Sequence, residues 1–306
     1  MDCCLGADWK DRSTSEIPAV LARGQHSSIP NENQATRNPA RFVPADYHTH
    51  TPLCRHATGE PEEYIAAARA AGLTEYGISD HAPARPEPFD DWRMLESELP
   101  AYFEWIERAR SAAGPLPVRA GMECDWLTGC ESWIEELSGR YPWDYLIGSV
   151  HYLGAWDFDN PKWLGRWKDE DIDQVWTHYW KTYAEMARSG LFDILGHPDL
   201  VKKFSHRPTG DLARFYEPAI EAIADSGCVI ELNTAGWHKP CEEAYPHPQF
   251  LGLARQAGIP LVISSDSHAP GEVARDFGKA IEWAKSAGYR ETVLFEGRKR
   301  STQIIP

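Results

Sequence analysis

The 306-residue chain lacks three things: a surplus of positive charge, a paired set of cysteines and any long apolar run. Lysine and arginine number 31 against 46 aspartates and glutamates, a formal net charge of -15. That balance excludes a general cationic field for a nucleic-acid backbone or an anionic membrane surface, so any phosphate must be drawn by local charge. The seven cysteines, Cys3, Cys4, Cys54, Cys124, Cys130, Cys228 and Cys241, are odd in number and contain no C-x-x-C pair. They read as reduced thiols of a cytoplasmic protein rather than as a disulfide framework. The run "IPAVLA" near the start is too short for a signal-peptide core, and no later run approaches the ~20 residues of a membrane span. Also missing are a G-x-S-x-G elbow, a P-loop and a G-x-G-x-x-G turn, which leaves serine-nucleophile and nucleotide-fold enzymes without their signatures.

What is present is a rhythm. Residues 1–41 are polar, contain Pro and Asn and have no sustained periodicity, so they are expected to form a loosely ordered extension. The folded domain is expected to start near Phe42 and run to residue 306. Over that stretch short apolar runs alternate with longer amphipathic ones, the pattern of repeated β-α units around a mainly parallel sheet. Seven strands are predicted: "ADYHTH", "LTEYGISDH", "PVRAGMECDW", "DYLIGSVHYL", "FDILGHPDL", "CVIELNTAG" and "PLVISSDSH". Helices are predicted at "PEEYIAAARAAG", "LPAYFEWIERARSAAG", "DIDQVWTHYWKTYAEMARSG", "GDLARFYEPAIEAIADSG" and "PQFLGLARQAG", running into glycines suited to helix C-caps. The aromatic-rich segment "WDFDNPKWLGRWKDEDIDQVWTHYW" reads as core, and Cys54 as a small buried thiol.

Polar groups gather where the strands end. In an extended strand residues i and i+2 point the same way, so His48 and His50 present two imidazoles to one side. His56 follows in the next loop, and His81, Glu123, His151, His197, Asp266 and His268 sit at or just past later strand ends, with Asp80 as a partner behind them. Any one of these reads as a capping or core residue. Nine donors at the ends of six strands, at the edge where α/β enzymes place their sites, read jointly as a metal centre. Imidazole mixed with carboxylate suits Zn, Mn or Fe, and the donor count exceeds what one tetrahedral ion can use, so at least two ions are expected, with Glu123 as the bridge.

The stretches "HTHTPLCRHA", "ISDHAP", "GMECDW", "GSVHYL", "GHPDLVKKF", "ELNTAG" and "SSDSHAP", in this order, resemble the PHP (polymerase and histidinol phosphatase) superfamily, in its monofunctional histidinol-phosphatase branch, over about residues 45–295. The resemblance implies a distorted (β/α)7 TIM-like barrel with two or three divalent ions at the C-terminal edge of its strands. It assigns His48, His50, Glu123 and Asp266 to one ion, Glu123, His151 and His197 to a second, and His56, His81 and His268 to a third. Asp80, Glu123, Asp266 and His268 form the expected catalytic set. The implied reaction is hydrolysis of L-histidinol phosphate to L-histidinol and phosphate; the alternative is another small ester, a nucleotide or sugar phosphate. Lys203, Arg207, His238 and Lys239 are the expected substrate contacts, although many relatives carry arginine at the positions of His238 and Ala269. Two further readings are a binding module without catalysis and an amidohydrolase barrel, the latter expected to carry a modified lysine where the fourth strand here ends in His151.

Overall fold

The computed structural model describes residues 43–306; the extension expected over 1–41, and Phe42, lie outside the described residues. Seven α-helices are described: α1 (Pro61–Ala71), α2 (Leu99–Ala113), α3 (Glu131–Arg140), α4 (Ile172–Arg188), α5 (Ala213–Ser226), α6 (Pro248–Gln256) and α7 (Phe277–Ser286). The strands are β1 (Tyr76–Ile78), β2 (Val118–Ala120), β3 (Glu123–Asp125), β4 (Ile147–Ser149), β5 (Tyr152–Leu153), β6 (Trp156–Asp157), β7 (Ile194–Leu195), β8 (Val229–Asn233), β9 (Leu261–Ser264), β10 (Glu291–Glu296) and β11 (Lys299–Ile304).

The strands form a closed ring. β3, β4, β7, β8 and β9 make a parallel sheet in that order, and β1 pairs in parallel with β2. A bridge between His81 and Glu123 carries the β1–β2 pairing on to β3. The segment beginning at Val43 closes the ring: Asp46 bridges Tyr76 on one side and Thr49 bridges Ser267 on the other. Counting β2 and β3 as one broken strand, the barrel has seven parallel strands. All seven predicted strands and all five predicted helices are present. The sequence reading missed α3, α7 and the antiparallel hairpins β5–β6 and β10–β11.

Local chemistry fixes the helix ends. In α1 the Glu63 carboxylate accepts the Glu60 backbone N–H at 2.7 Å, Pro61 occupies the first turn, and Gly72 closes the helix in the left-handed region at φ 77°. α4 starts where Asp171 accepts the Gln174 N–H and buries Val175, Trp176, Tyr179, Trp180 and Tyr183, an i, i+3/i+4 stripe facing the barrel. The aromatic-rich segment thus does supply core, as expected.

The barrel interior is packed at one end. Tyr47, Tyr145, Ile147, Ile194, Val229 and Val262 meet Val293 and Phe295 of β10, so the β10–β11 hairpin caps that end. Tyr145 fits only because two neighbouring strands carry glycine: a Cβ on Gly77 or Gly121 would come within 2.3 Å of its ring or hydroxyl. The histidines and acids of the predicted centre lie at the opposite, C-terminal end. No helix among the described residues is long and apolar enough to cross a membrane.

Candidate metal centre

The strand ends bring the nine predicted donors together. The Glu123 carboxylate lies 3.3 Å from His48 Nε2, 2.7 Å from His81 Nδ1, 3.7 Å from His151 Nε2 and 2.9 Å from His197 Nε2. Asp266 Oδ1 lies 3.2 Å from His50 Nε2. The rings of His50 and His268 stack at 4.0 Å, and His56 stacks on His268 at 4.6 Å. His197 and Asp266 hold their positions with backbone φ of 23° and 52°, in the left-handed region that disfavours a side chain, as strand ends at functional sites often do.

Behind the imidazoles stand carboxylates that fix their tautomers. His48 Nδ1 meets Glu231 Oε1 at 2.8 Å, His151 Nδ1 meets Asp125 Oδ1 at 2.8 Å, and His50 Nδ1 meets Asp80 Oδ1 at 3.3 Å. Each pairing places the proton on Nδ1 and turns the Nε2 lone pair toward the centre, the arrangement that orients metal-binding histidines. Asp125 is itself held by Arg93, 2.9 Å away, and Asp80 accepts the Thr51 hydroxyl. Asp80 is fully buried and does not line the cavity, so its part is to position His50 rather than to touch substrate.

Four buried atoms facing the centre find no hydrogen-bond partner among the described residues: His48 Nε2, His50 Nε2, His81 Nδ1 and Glu123 Oε2. An orphaned buried polar atom costs about 1–3 kcal/mol. His81 Nδ1 and Glu123 Oε2 are only 2.7 Å apart yet misaligned for a hydrogen bond, as two lone pairs aimed at a shared cation would be. Three such imidazole nitrogens with a carboxylate suit Zn, Mn or Fe, so the residues present fit such ions.

The electrostatics are those of acids and imidazoles crowded together: burial pulls His48, His50 and His151 down, but the carboxylates around them outweigh it, raising His48 well above the ordinary histidine value, His50 to about 9 and His151 to about 10. Burial pushes the Glu123 carboxyl up, but His48, His81 and His151 outweigh it and hold Glu123 well below the usual carboxylate range. Burial likewise opposes ionisation of Asp266, and His48 and His50 reverse the balance. Burial drives His81 and His268 well below the ordinary histidine value, into the neutral form that ligates metals.

A cavity of about 500 Å³ opens onto these donors. Of the expected substrate contacts, Lys203 and Lys239 line it. Arg207 and His238 do not: Arg207 is 2.9 Å from Glu243, which also binds the buried Lys202, and His238 is 2.6 Å from Asp276. These acids hold both side chains away from the cavity. Arg275, which the sequence reading passed over, lines it instead, with one nitrogen held by Glu272 at 3.0 Å and its Nε left unpartnered. Glu231 and Asp125 were passed over too. The alternation of Glu231 and Asn233 within the otherwise apolar "VIELN" was the available signal for the first.

Glu231 also accepts the His197 backbone N–H at 2.6 Å, so it braces two of the nine donors at once. Glu231→Gln is expected to weaken metal affinity by about 10- to 100-fold without unfolding the barrel. Chelator competition measures this, and unchanged affinity would remove Glu231 from the positioning scheme.

A family model described as PHP domain matches residues 46–235. Over 256 residues the chain is 44% identical to a "probable histidinol-phosphatase" of Deinococcus radiodurans, with 83% of this chain and 97% of the relative covered. A histidinol-phosphatase of Bacillus subtilis is 27% identical over 266 residues, covering 78% of this chain and 98% of the relative. The crystal structure of histidinol phosphate phosphatase from Lactococcus lactis, complexed with zinc, L-histidinol and phosphate, matches with a TM-score of 0.71 at 20% identity. It covers 85% of this chain and 99% of that one, a likeness of fold.

Proposed function

This chain belongs to the PHP domain family, and from that premise we propose that it hydrolyses L-histidinol phosphate to L-histidinol and phosphate, using two or three divalent transition-metal ions held by His48, His50, His56, His81, Glu123, His151, His197, Asp266 and His268. The observation that carries the metal reading is the set of four buried atoms facing the centre with no hydrogen-bond partner among the described residues. The substrate reading is supported by the 44% identity to a relative named for that activity, across nearly the whole of that relative.

Bound ions supply positive charge to the phosphate oxygens and acidify water for attack on phosphorus. The protein's own contribution is arrangement. Glu231, Asp80 and Asp125 keep the Nδ1 protons of His48, His50 and His151 in place, so that three Nε2 atoms stay available as donors. Glu123 sits among five imidazoles, where it would be placed to link neighbouring ions. Arg275 and Lys239 bring cations to the cavity wall, where an anionic ester needs them. No side chain is required to form a bond to phosphorus.

The test is phosphate release from a panel of monoesters by metal-loaded protein. L-histidinol phosphate is expected to exceed nucleotide and sugar phosphates in kcat/KM by at least about a hundredfold, the margin expected where buried polar groups recognise one substrate's donors. A flat profile, or preference for a nucleotide or sugar phosphate, overturns the substrate assignment. Failure to bind metal together with failure to release phosphate would favour a non-catalytic binding module.

A further inference from the structure

The cavity carries two acids that the chemistry at phosphorus does not use. β4 leads into the hairpin β5–β6, which places Asp157 at its end and Asp159 two residues on; both line the cavity with Asn160. Lys203 matches Asp159 at 2.8 Å. Asp157 has no such match: its carboxylate accepts the Asn160 side-chain amide at 2.8 Å, and among the described residues no lysine or arginine pairs with it. The nearby cation Lys162 is committed to Asp91 at 2.7 Å. One wall of the cavity therefore holds two carboxyl groups against one lysine, and Asp157 is only 7% exposed.

A buried carboxylate without a cation is costly, and the economical partner is one that arrives with the ligand. Asp157 shows the cost: burial, then the adjacent Asp159, push it up to about 6. Position says what sort of cation. Following the ring from the strand at Val43, β4 is fourth and β9 is seventh, so the hairpin after β4 stands across the mouth from the loop after β9 that carries Arg275. On one side Arg275, paired to Glu272 through one nitrogen, offers a cation to a phosphate; on the other the acids Asp91, Asp157 and Asp159 outnumber the lysines Lys162 and Lys203 by one. A ligand spanning them is a zwitterion with phosphate at one end and a protonated amine at the other.

We infer that Asp157, supported by Asn160 and the Asp159–Lys203 pair, is the ammonium-recognising subsite of this cavity and selects aminoalkyl phosphates over esters of the same shape without the amine. The inference rests on the phosphomonoesterase reading and deepens it by naming the group that reads the alcohol half of the substrate.

The experiment compares L-histidinol phosphate with 3-(imidazol-4-yl)propyl phosphate, which differs only in lacking the amine and has a similar leaving group. The wild-type protein is expected to prefer the amine, and Asp157→Asn to reduce that preference about 10- to 100-fold, mainly through KM, the range lost with one hydrogen bond to a charged group. Calorimetry gives a readout independent of turnover: Asp157→Asn should weaken L-histidinol binding by the same factor and leave binding of the deaminated alcohol much less affected. Asp157→Glu, which keeps the charge, should restore part of the preference. Equal losses for both esters would mean that Asp157 serves the chemistry or the scaffold, and would overturn the inference, as would an undiminished preference in the variant. A wild-type protein that ignores L-histidinol phosphate but prefers 2-aminoethyl phosphate over ethyl phosphate, a preference lost in Asp157→Asn, sinks the substrate reading and upholds the subsite.

Discussion

Glu123→Gln should abolish activity: kcat/KM for L-histidinol phosphate is expected to fall at least about a thousandfold, equivalent to about 4 kcal/mol of lost transition-state stabilisation. Among the described residues Glu123 is the one carboxylate within 4 Å of five imidazoles, and the Ser149 hydroxyl donates to it at 2.6 Å. The amide keeps the shape but removes the charge that draws cations, and turns two acceptor lone pairs into N–H donors facing ring nitrogens. Metal content, measured by elemental analysis after purification, should fall with activity, while circular dichroism stays that of a folded α/β protein. A variant with wild-type metal content and turnover would show that the centre is organised around some other residue.

Stripping metal from the wild-type protein with a chelator should do more than stop catalysis; it should lower Tm. A ligand at a hundred times its Kd stabilises the folded state by about 2.7 kcal/mol. At the sensitivity of a domain this size, roughly 2–4 °C per kcal/mol, removal should cost about 5–10 °C for one ion and more for several. The four atoms at the centre without hydrogen-bond partners among the described residues are the structural reason, since without cations they stay desolvated and unpaired. Adding back zinc, manganese or iron separately should restore both Tm and phosphate release, and their order identifies the preferred ion. A chelated protein that melts at the same temperature and keeps its activity would contradict the metal reading.

The fold and the donors were legible from sequence for one shared reason. Parallel strands buried on both faces read as short apolar runs, and a His, Asp or Glu ending such a run is out of place unless it faces a site, as at "GSVH" and "SSDSH". The braces behind the donors were harder to read. Asp125 lies two residues past Glu123, where a second acid looks like a solvated strand end, and its link to His151 and Arg93 spans 26 and 32 residues of chain. Substrate contacts were the least legible, because direction within a loop depends on which neighbour claims a side chain. Arg207 and His238 sit in the same loops as Lys203 and Lys239, yet Glu243 and Asp276 claim them. Asp157 and Asp159 were hidden among tryptophans whose core role was apparent, while the acids between them face the cavity. The β10–β11 hairpin escaped because its residues pair only with each other, through the tight turn at Gly297 and Arg298.

That hairpin has a kinetic corollary. With Phe295 and Val293 stoppering the far end, the barrel is a cup and not a tunnel, so arrival and departure share one rim. If Asp157 holds the alcohol fragment as inferred above, that fragment would be able to diffuse away while inorganic phosphate remained at the donors of the centre. Phosphate is then the last product out, and it should inhibit by competing directly with the incoming ester.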